Sequence, residues 1–524
     1  MIYHKHRRNP TNYAVPLKVG FLLPMDFINM FLNAITLCYY KVNMKYMPTI
    51  GLEIHAELKT KTKMFCDSKN DPDEKKPNIN ICPVCTAHPG TLPVINKEAV
   101  KHILKIGVAI RGNLADFTEF DRKNYFYPDI PKGYQISQYK YPLVSGGSLA
   151  GIAIMRVHLE EDTAGIIHNK DDSLINFNRA GIPLMELVTE PIIKNATQAV
   201  FFAKELQLLL RTLAVGGANM EKGEMRVEAN ISLREVADDN SHLSVPLGTK
   251  VEVKNLNSFR AVEHAIEYEI KRQESILKNG KKVIQETRGW DEGKQQTFSQ
   301  RLKEDSEDYR YFPDPDLPKL KISAIKEFSV ENLQKEIPEL PWEKRERYKS
   351  DFDIKTDDVD MFVRDPYLAK LFDETIEKFE KNKELIRLAS NYIKTDIAGF
   401  IKADKSLDKK LYKNISAKNF TELILMIYEN KISSRGAKNI LNELYERGGD
   451  PVKIAKEKKL FQKSNENELK KIVEKIILEN KKVVKDFKSG KESALQFLIG
   501  QGMKETKGSA NPEILKKLFI AFLK

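Results

Sequence analysis

Cysteine and the common phosphate-binding motifs are both scarce in this sequence. Four cysteines among 524 residues cannot build a disulfide framework, and such sparse use is typical of a reducing cytosol. We therefore expect a cytoplasmic protein rather than an organellar or secreted one. The sequence contains no Walker A motif and no G-x-G-x-x-G that opens a helix after a strand. Any nucleotide would thus be held by side chains and metal ions instead of a glycine-rich phosphate loop.

Net charge is balanced over most of the chain and strongly positive near its end. The whole sequence has 86 Lys and Arg against 74 Asp and Glu. From Lys405 onward there are 27 against 15, which accounts for the entire net charge of +12. A basic carboxy-terminal region is typical of a surface that binds a polyanion such as a nucleic acid. The alternative is a compositional drift toward lysine without any binding role.

The sequence changes character near residue 340. From residue 47 to that point, short alternating apolar runs separated by Gly and Pro predict an α+β domain built on antiparallel sheet. A helix is predicted from Phe259 to Leu277, with Ser258 as its N-cap. Glycine is then absent from Pro338 until Gly399, so helices are expected, most clearly over 354–379 and 383–403.

Residues 50–58 (IGLEIHAEL) carry the first chemical signal. Apolar residues at alternate positions predict a strand with one buried face. Glu53, His55 and Glu57 then project together from the other face. Two carboxylates around an imidazole suit Mg²⁺, which takes oxygen ligands and keeps waters for substrate phosphates. Taken alone, the fragment fits a solvated strand face at least as well.

Further multi-residue motifs follow in a fixed order along the chain. They are 121–128 (DRKNYFYP), 131–138 (PKGYQISQ), 158–162 (HLEED), 178–184 (NRAGIPL), 228–233 (EANISL), 252–259 (EVKNLNSF), 285–288 (QETR) and 308–316 (DYRYFPDPD). Together with the Glu53 strand they closely resemble the GatB family, the B subunits of the tRNA-dependent aspartyl/glutamyl amidotransferases. The resemblance runs from about Met47 to the end of the chain, and long matches in the right order make it highly specific.

The resemblance implies a fold, an activity and partners. The fold would be a cradle-shaped, mostly antiparallel catalytic domain at 47–337, a helical linker domain at 338–410 and a small, basic, tRNA-binding helical tail at 411–524. The enzyme would be a glutamine-hydrolysing ligase that forms carbon–nitrogen bonds. ATP would phosphorylate the side-chain carboxylate of Glu or Asp mischarged on tRNA(Gln) or tRNA(Asn), and ammonia would displace the phosphate. The family's glutaminase (A) subunit would supply the ammonia, and its small (C) subunit would brace the pair.

Two alternatives to this function stay open. One is a non-catalytic tRNA-binding subunit, which the grouped carboxylates disfavour because they repel phosphate. The other is the archaeal-type paralogue that amidates Glu-tRNA only. That paralogue carries a large inserted domain, for which the space after Asp308 is too short.

The family's pattern also assigns site residues. The matches to its metal-site and catalytic positions, which would hold Mg²⁺ beside ATP, are Glu53, His55, Glu161 and Glu252. Candidates for positioning the metal or the substrate are Glu160, Asp162 and Glu228. Candidates for binding phosphate are Arg179, Arg226 and Lys254, each with a structural salt bridge as an equal alternative. Carboxylates this crowded repel one another without a cation, which favours the metal interpretation.

The cysteines pose a separate question. Cys82-Pro-Val-Cys85 is a C-x-x-C motif, and Cys66 precedes it by sixteen residues. Many members of the resembled family have another cysteine two positions after the first, which completes a Cys₄ zinc site. That position is Ser68 here. The fourth Zn²⁺ ligand could instead be His88 or Asp67, and without zinc the three thiols would pack as small hydrophobic groups.

Residues 1–46 stand apart from the resembled region. Basic residues at 5–8 precede an apolar run that Pro24 and several polar residues interrupt, so a single membrane span is not expected. A poor signal peptide, an organelle presequence and a weak membrane anchor are alternatives. Since the resembled family begins just before the Glu53 strand, we favour a mis-called start codon, with Met44 or Met47 as the true start. We expect these residues to be dispensable.

Overall fold

A ten-stranded sheet forms the centre of the larger, amino-terminal part of the protein. The computed structural model describes residues 46–235, 246–302, 309–352, 354–403, 414–462, 466–506 and 510–523. The strands are β1 (Tyr46–Glu57), β2 (Asn113–Leu114), β3 (Phe117–Thr118), β4 (Asp121–Asn124), β5 (Tyr134–Ser137), β6 (Val144–Ser145), β7 (Ser148–Leu149), β8 (Ile152–Glu161), β9 (Gly165–His168), β10 (Ser173–Asn176), β11 (Pro183–Thr189), β12 (Met225–Glu235), β13 (Val251–Leu256), β14 (Glu286–Asp291), β15 (Gln296–Leu302), β16 (Phe312–Pro313) and β17 (Leu320–Lys321).

The order in the main sheet is β15-β14-β13-β12-β1-β11-β8-β6-β2, with β7 also paired to β8. Among the described strand pairs only β13 and β14 run parallel. Small sheets are formed by β9 with β10, by β16, β4 and β5, and by β17 with β3. This mostly antiparallel sheet, followed by helical regions, confirms the predicted α+β class.

The helices lie behind the sheet and in the carboxy-terminal part. They are α1 (Lys97–Ala109), α2 (Ala196–Thr212), α3 (Phe259–Lys278), α4 (Val330–Lys335), α5 (Pro341–Phe352), α6 (Thr356–Arg364), α7 (Pro366–Ile376), α8 (Lys383–Tyr392), α9 (Ala398–Ala403), α10 (Ala417–Tyr428), α11 (Ser434–Arg447), α12 (Pro451–Glu457), α13 (Glu466–Glu479), α14 (Lys481–Lys488), α15 (Glu492–Glu505) and α16 (Pro512–Leu523).

Strand β1 lies in the middle of the sheet, and its side chains point alternately to the two faces. Ile50, Leu52 and Ile54 are fully buried and share one core with the apolar faces of α1, α2 and α3. Helix α3 begins after Ser258, whose hydroxyl accepts a hydrogen bond from the Ala261 N–H at 3.0 Å, as predicted. The helices therefore cover one face of the sheet, and the polar side chains of β1 occupy the other.

The carboxy-terminal helices form two further cores. Helices α5 to α12 share one core whose members include Phe372 and Phe420, and α13 to α16 share another around Phe519. The predicted boundary at residues 410 and 411 falls within 404–413, outside the described residues. Since residues on both sides of it pack in one core, the described packing groups α10 to α12 with the linker helices.

Helix α2 of the sheet domain contacts the linker helices through an ion pair and an apolar contact. Its Glu205 is only 4% exposed and accepts hydrogen bonds from two Arg345 nitrogens, at 2.7 and 2.8 Å, and from Arg364 at 3.1 Å. Leu208, about one turn further on, packs in the core of the linker helices. A buried carboxylate and one leucine of the sheet domain thus anchor its neighbour.

Most of the predicted amino-terminal extension, residues 1–45, lies outside the described residues. Its last residue, Tyr46, is the first residue of β1 and pairs with Glu235 of β12. The dispensability of this segment stays a prediction. Among the described helices, none combines the length and the apolar character needed to cross a bilayer.

Candidate active and metal site

The register of the central strands brings acidic and imidazole side chains onto one face. On β1, His55 lies opposite Glu186 of β11, and Glu53 lies opposite Glu228 of β12. Glu186 in turn lies opposite His158 of β8. Directly opposed residues of antiparallel strands share a face, with Cβ atoms about 5 Å apart. Strands that are distant in sequence therefore contribute to one polar surface.

The first group of potential metal ligands surrounds the His55 imidazole. Its Nε2 atom lies 3.3 Å from a Glu160 oxygen and 3.5 Å from a Glu186 oxygen. Glu186 also lies 3.4 Å from Nε2 of His158 and 3.2 Å from the Arg156 guanidinium. His158, Glu160 and Glu186 are all buried. Two imidazoles and two carboxylates at these distances form a donor set for a divalent cation.

The second group consists of three carboxylates. Oxygen atoms of Glu53, Glu228 and Glu252 all lie within 4.8 Å of one another. The Lys254 ammonium lies 2.8 Å from Glu228 and 3.6 Å from Glu252. Glu53 is also 3.9 Å from Nε2 of His55, so the two groups adjoin. A single lysine does not balance three carboxylates, which leaves this group able to bind further positive charge.

Burial and crowding shift the pKa values of these side chains. Burial and the neighbouring charge of Glu186 raise the pKa of Glu53 to about 7. Burial alone would lower the pKa of His55, but its hydrogen bond with Glu186 and the charge of Glu160 raise it to about 9. Burial opposes ionisation of Glu186 too, yet the neighbouring His158 holds the pKa of that carboxyl well below its usual range. The surface therefore favours bound positive charge at neutral pH.

A cleft of about 560 Å³ opens over both groups, within the size range of small-molecule sites. Its wall carries Glu53, Glu186 and Glu252 together with cationic side chains. Those cations are Lys123, Arg156, Lys254 and Arg301. Burial would lower the pKa of Lys123, but the charge of Glu160 and the adjacent Tyr311 raise it to about 12, so Lys123 stays cationic. Acidic and cationic groups thus face one space, an arrangement that suits metal ions and phosphates together.

Three of the predicted residues, Asp162, Arg179 and Arg226, form a separate cluster beside the end of β8. Asp162 accepts a hydrogen bond from Arg179 and lies 3.4 Å from Arg226. Burial opposes ionisation of Asp162, but Arg226 and Arg179 lower the pKa of its carboxyl. Glu57 lies 3.7 Å from Arg179, and its pKa is raised to about 7 by burial and by the charge of Asp162. Both arginines are therefore held by a carboxylate of the chain, as in the salt-bridge alternative.

Glu161 is predicted as a metal ligand, but the structure brings it into neither group. Adjacent strand residues point to opposite faces, so Glu161 turns away from Glu160. Its carboxylate accepts hydrogen bonds from Lys132 at 2.5 Å and from the Ile136 N–H at 2.9 Å. In the described residues, Glu160 and Glu186 occupy the place predicted for Glu161 beside His55.

The predicted residues that do converge are Glu53, His55, Glu160, Glu228, Glu252 and Lys254. The sequence argument misses His158 and Glu186. A signal was available, because Glu186 is the single charged residue within the otherwise largely apolar strand β11, residues 183–189 (PLMELVT). A carboxylate within a buried strand is costly unless it is paired, so such a residue is a candidate site residue.

The three predicted zinc ligands, Cys66, Cys82 and Cys85, bring their sulfur atoms within 4.8 Å of one another. The Ser68 hydroxyl lies 3.8 Å from the Cys85 sulfur, and so does the ammonium of the buried Lys63. The two residues predicted as alternative fourth ligands, His88 and Asp67, do not join this group within the described residues. A structural zinc site needs four ligands, so the donor set falls one ligand short.

Comparison with known proteins adds evidence of descent. A family model described as the GatB/GatE catalytic domain matches residues 48–326, and one described as the GatB domain matches residues 370–523. The aspartyl/glutamyl-tRNA(Asn/Gln) amidotransferase B subunits of Thermoanaerobacter pseudethanolicus and Thermotoga petrophila are each 41% identical, over 91% of this chain and 98% of the relative. That of Caldanaerobacter subterraneus is 42% identical with the same coverage. The chain belongs to the GatB family, the amidotransferase B subunits.

Proposed function

We propose that this chain performs the ATP-dependent step of a tRNA-dependent amidotransferase, the function that its family membership supports. The observation that carries the proposal is the convergence of two adjoining groups of carboxylates and imidazoles in one cleft lined by cations. A surface that only bound RNA would gain nothing from buried carboxylates such as Glu160 and Glu186, because they repel phosphate. The same groups are useful to an enzyme that binds Mg²⁺ and ATP.

The proposed reaction has two steps. A side-chain carboxylate oxygen of Glu on tRNA(Gln), or of Asp on tRNA(Asn), attacks the γ-phosphorus of ATP, and ADP leaves. The nitrogen of ammonia then attacks the resulting acyl phosphate at its carbonyl carbon, and inorganic phosphate leaves as the amide forms. Both steps concentrate negative charge on phosphate oxygens, so catalysis depends on positioning and on charge stabilisation.

The residues of the cleft fit this chemistry. The donors that would hold Mg²⁺ are His55, Glu160 and Glu186 in the first group and Glu53, Glu228 and Glu252 in the second. Bound Mg²⁺ would neutralise charge on the ATP phosphates. Lys123 and Lys254 remain protonated and face the same cleft, where they stabilise charge on the transferred phosphoryl group.

The proposal includes partners that lie outside this chain. Ammonia would come from the glutaminase (A) subunit, with the small (C) subunit bracing the complex. The tRNA would contact the basic tail, in which α14 exposes Lys481, Lys482, Lys485 and Lys488. Lysines at a helix surface neutralise backbone phosphates without reading sequence. The tail thus supplies affinity, and the cleft supplies chemistry.

The test is amidation by the reconstituted complex, with ATP, Mg²⁺ and each mischarged tRNA. Glu186→Gln and Glu252→Gln remove one carboxylate from each group and should lower the amidation rate by at least about 100-fold. Binding of tRNA should persist, because neither carboxylate contacts the tail. The matched control is Glu221→Gln, an exposed glutamate outside the cleft. Full activity in both cleft variants, or amidation without ATP and Mg²⁺, would contradict the proposal.

A further inference from the structure

A stacked pair of tyrosines forms part of the wall of the cleft. The rings of Tyr139 and Tyr311 lie 4.3 Å apart between centroids and are tilted by only 12°. Tyr309 meets Tyr311 edge-on at 6.1 Å, and Tyr125 meets Tyr309 edge-on at 6.3 Å. The same cleft is lined by Tyr139, Tyr309 and Tyr311 and by three carboxylates of the two metal-ligand groups, those of Glu53, Glu186 and Glu252. Aromatic side chains from distant parts of the sequence are therefore collected beside the proposed phosphate site.

The outermost ring of this row is exposed yet fixed in place. Tyr139 is 62% exposed although one of its faces is covered by Tyr311. Its backbone N–H donates a hydrogen bond at 2.9 Å to the carboxylate of Asp121, which is itself buried. An aromatic ring held in this way loses little conformational freedom when a ligand covers its open face. The open face of a stacked ring is well suited to a flat, conjugated ligand.

We infer that the open face of Tyr139 is a stacking platform for an adenine base. The inference rests on the proposed function and extends it, because the cleft then binds the base at Tyr139 and the phosphates near Lys123 and Lys254. In the reaction proposed above, adenine comes from two sources, ATP and the terminal adenosine of tRNA. Both present the same π-face, and the experiment separates them.

The decisive variants change the ring at position 139 in the reconstituted complex. Stacking of one base on an aromatic ring contributes enough that its loss changes affinity by about 5- to 150-fold. Tyr139→Ala should therefore raise KM by a factor in that range for one substrate, with a smaller effect on kcat. A rise for ATP alone assigns the platform to the nucleotide, and a rise for aminoacyl-tRNA alone assigns it to the terminal adenosine. Tyr139→Phe keeps the ring and should retain the wild-type KM values.

A substrate without the base distinguishes stacking from an indirect effect on structure. Ribose triphosphate in place of ATP, or tRNA with an abasic terminal residue, should bind the wild-type complex less well. With Tyr139→Ala the same replacement should cost much less, because the platform is already absent. The control is Tyr268→Ala, which removes a partly exposed tyrosine of α3, on the face of the sheet opposite the polar side chains of β1.

Unchanged KM values for both substrates in Tyr139→Ala would overturn the inference. So would equal impairment in Tyr139→Phe, since the ring face would then be irrelevant. Either result leaves the proposed function standing as long as the wild-type complex amidates mischarged tRNA with ATP. Failure of the wild-type complex to do so would instead refute the proposed function itself.

Discussion

Glu57 offers a quantitative test of the electrostatics at the end of β1. Its carboxyl is buried beside Asp162 and has one guanidinium, that of Arg179, at 3.7 Å. Burial and the charge of Asp162 raise its pKa from 4.5 to about 7. An acid whose pKa is higher in the folded state favours folding when protonated and opposes it when ionised. Glu57→Gln, which removes the ionisation, should therefore stabilise the sheet domain at alkaline pH.

The size of the effect follows from the shift in pKa. A rise of about 2.5 pKa units corresponds to roughly 3 kcal/mol, since one unit is about 1.4 kcal/mol. The attraction of Arg179 and Arg226 for the ionised carboxyl is already included in this net rise, so the figure is the full gain expected from a neutral side chain. The stabilisation should be fully developed at about pH 8, fall as the pH drops below about 7, and vanish below about pH 4.5, where the carboxyl is protonated in both states. At about pH 5.5 it should be less than half of its value at about pH 8.

The assay is urea unfolding followed by tryptophan fluorescence. Both tryptophans of the chain, Trp290 and Trp342, pack against the core of the sheet domain, so the signal reports on that domain. Unfolding free energies at the two pH values would be compared for the wild type, Glu57→Gln and the exposed-site control Glu221→Gln. A Glu57→Gln variant that is no more stable than the wild type at the higher pH would refute the reasoning. So would a gain in stability that does not change with pH.

Three further predictions concern other parts of the molecule. The zinc content measured by plasma mass spectrometry should be low in the wild-type chain and close to one ion per chain in Ser68→Cys. Equal zinc contents in the two proteins would show that residue 68 is not the fourth ligand. Glu205→Ala leaves two arginines without their buried carboxylate and should lower the unfolding free energy by about 3–5 kcal/mol. The control is Glu336→Ala, which removes an exposed ion pair with Lys101 and should change the unfolding free energy by less than about 1 kcal/mol. Replacing Lys482, Lys485 and Lys488 by Gln should reduce the salt slope of tRNA binding by up to about 2.7, or about 0.9 per lysine, and the same change at Lys281, Lys282 and Lys294 should leave it unaltered.

Local sequence patterns correctly predict those strands and helices whose formation depends on interactions between residues close in sequence. Strand β1 and helix α3 are correct because alternation and an N-cap serine act within a few residues. The helix predicted over 354–379 is wrong, since the structure interrupts it at Asp365, which caps α7, and Pro366 begins that helix. The proline was a usable signal, because it cannot continue a preceding helix.

The site is harder to predict because it depends on register. In the segment 158–162 (HLEED) three acidic residues follow one another, so their own sequence does not show which of them faces the cleft, and the register must be taken from His158 and Leu159. Counting by two from His158 selects Glu160, whereas the family's motif alone led to Glu161. Contacts such as Tyr139 with Tyr311 join residues far apart in sequence and leave no local trace.

The link between α2 and the linker helices has a practical consequence for dividing the protein. A fragment that ends before α5 lacks both Arg345 and Arg364 but keeps Glu205 and Leu208. It would expose the Glu205 carboxylate without its arginine partners and leave Leu208 uncovered at the cut surface. A soluble isolated sheet domain for crystallisation or spectroscopy should therefore carry a polar replacement at Leu208, whereas Glu205 is solvated by water once it is exposed. Conversely, a fragment that begins at α5 would need α2, grafted or added as a peptide, to complete its own core.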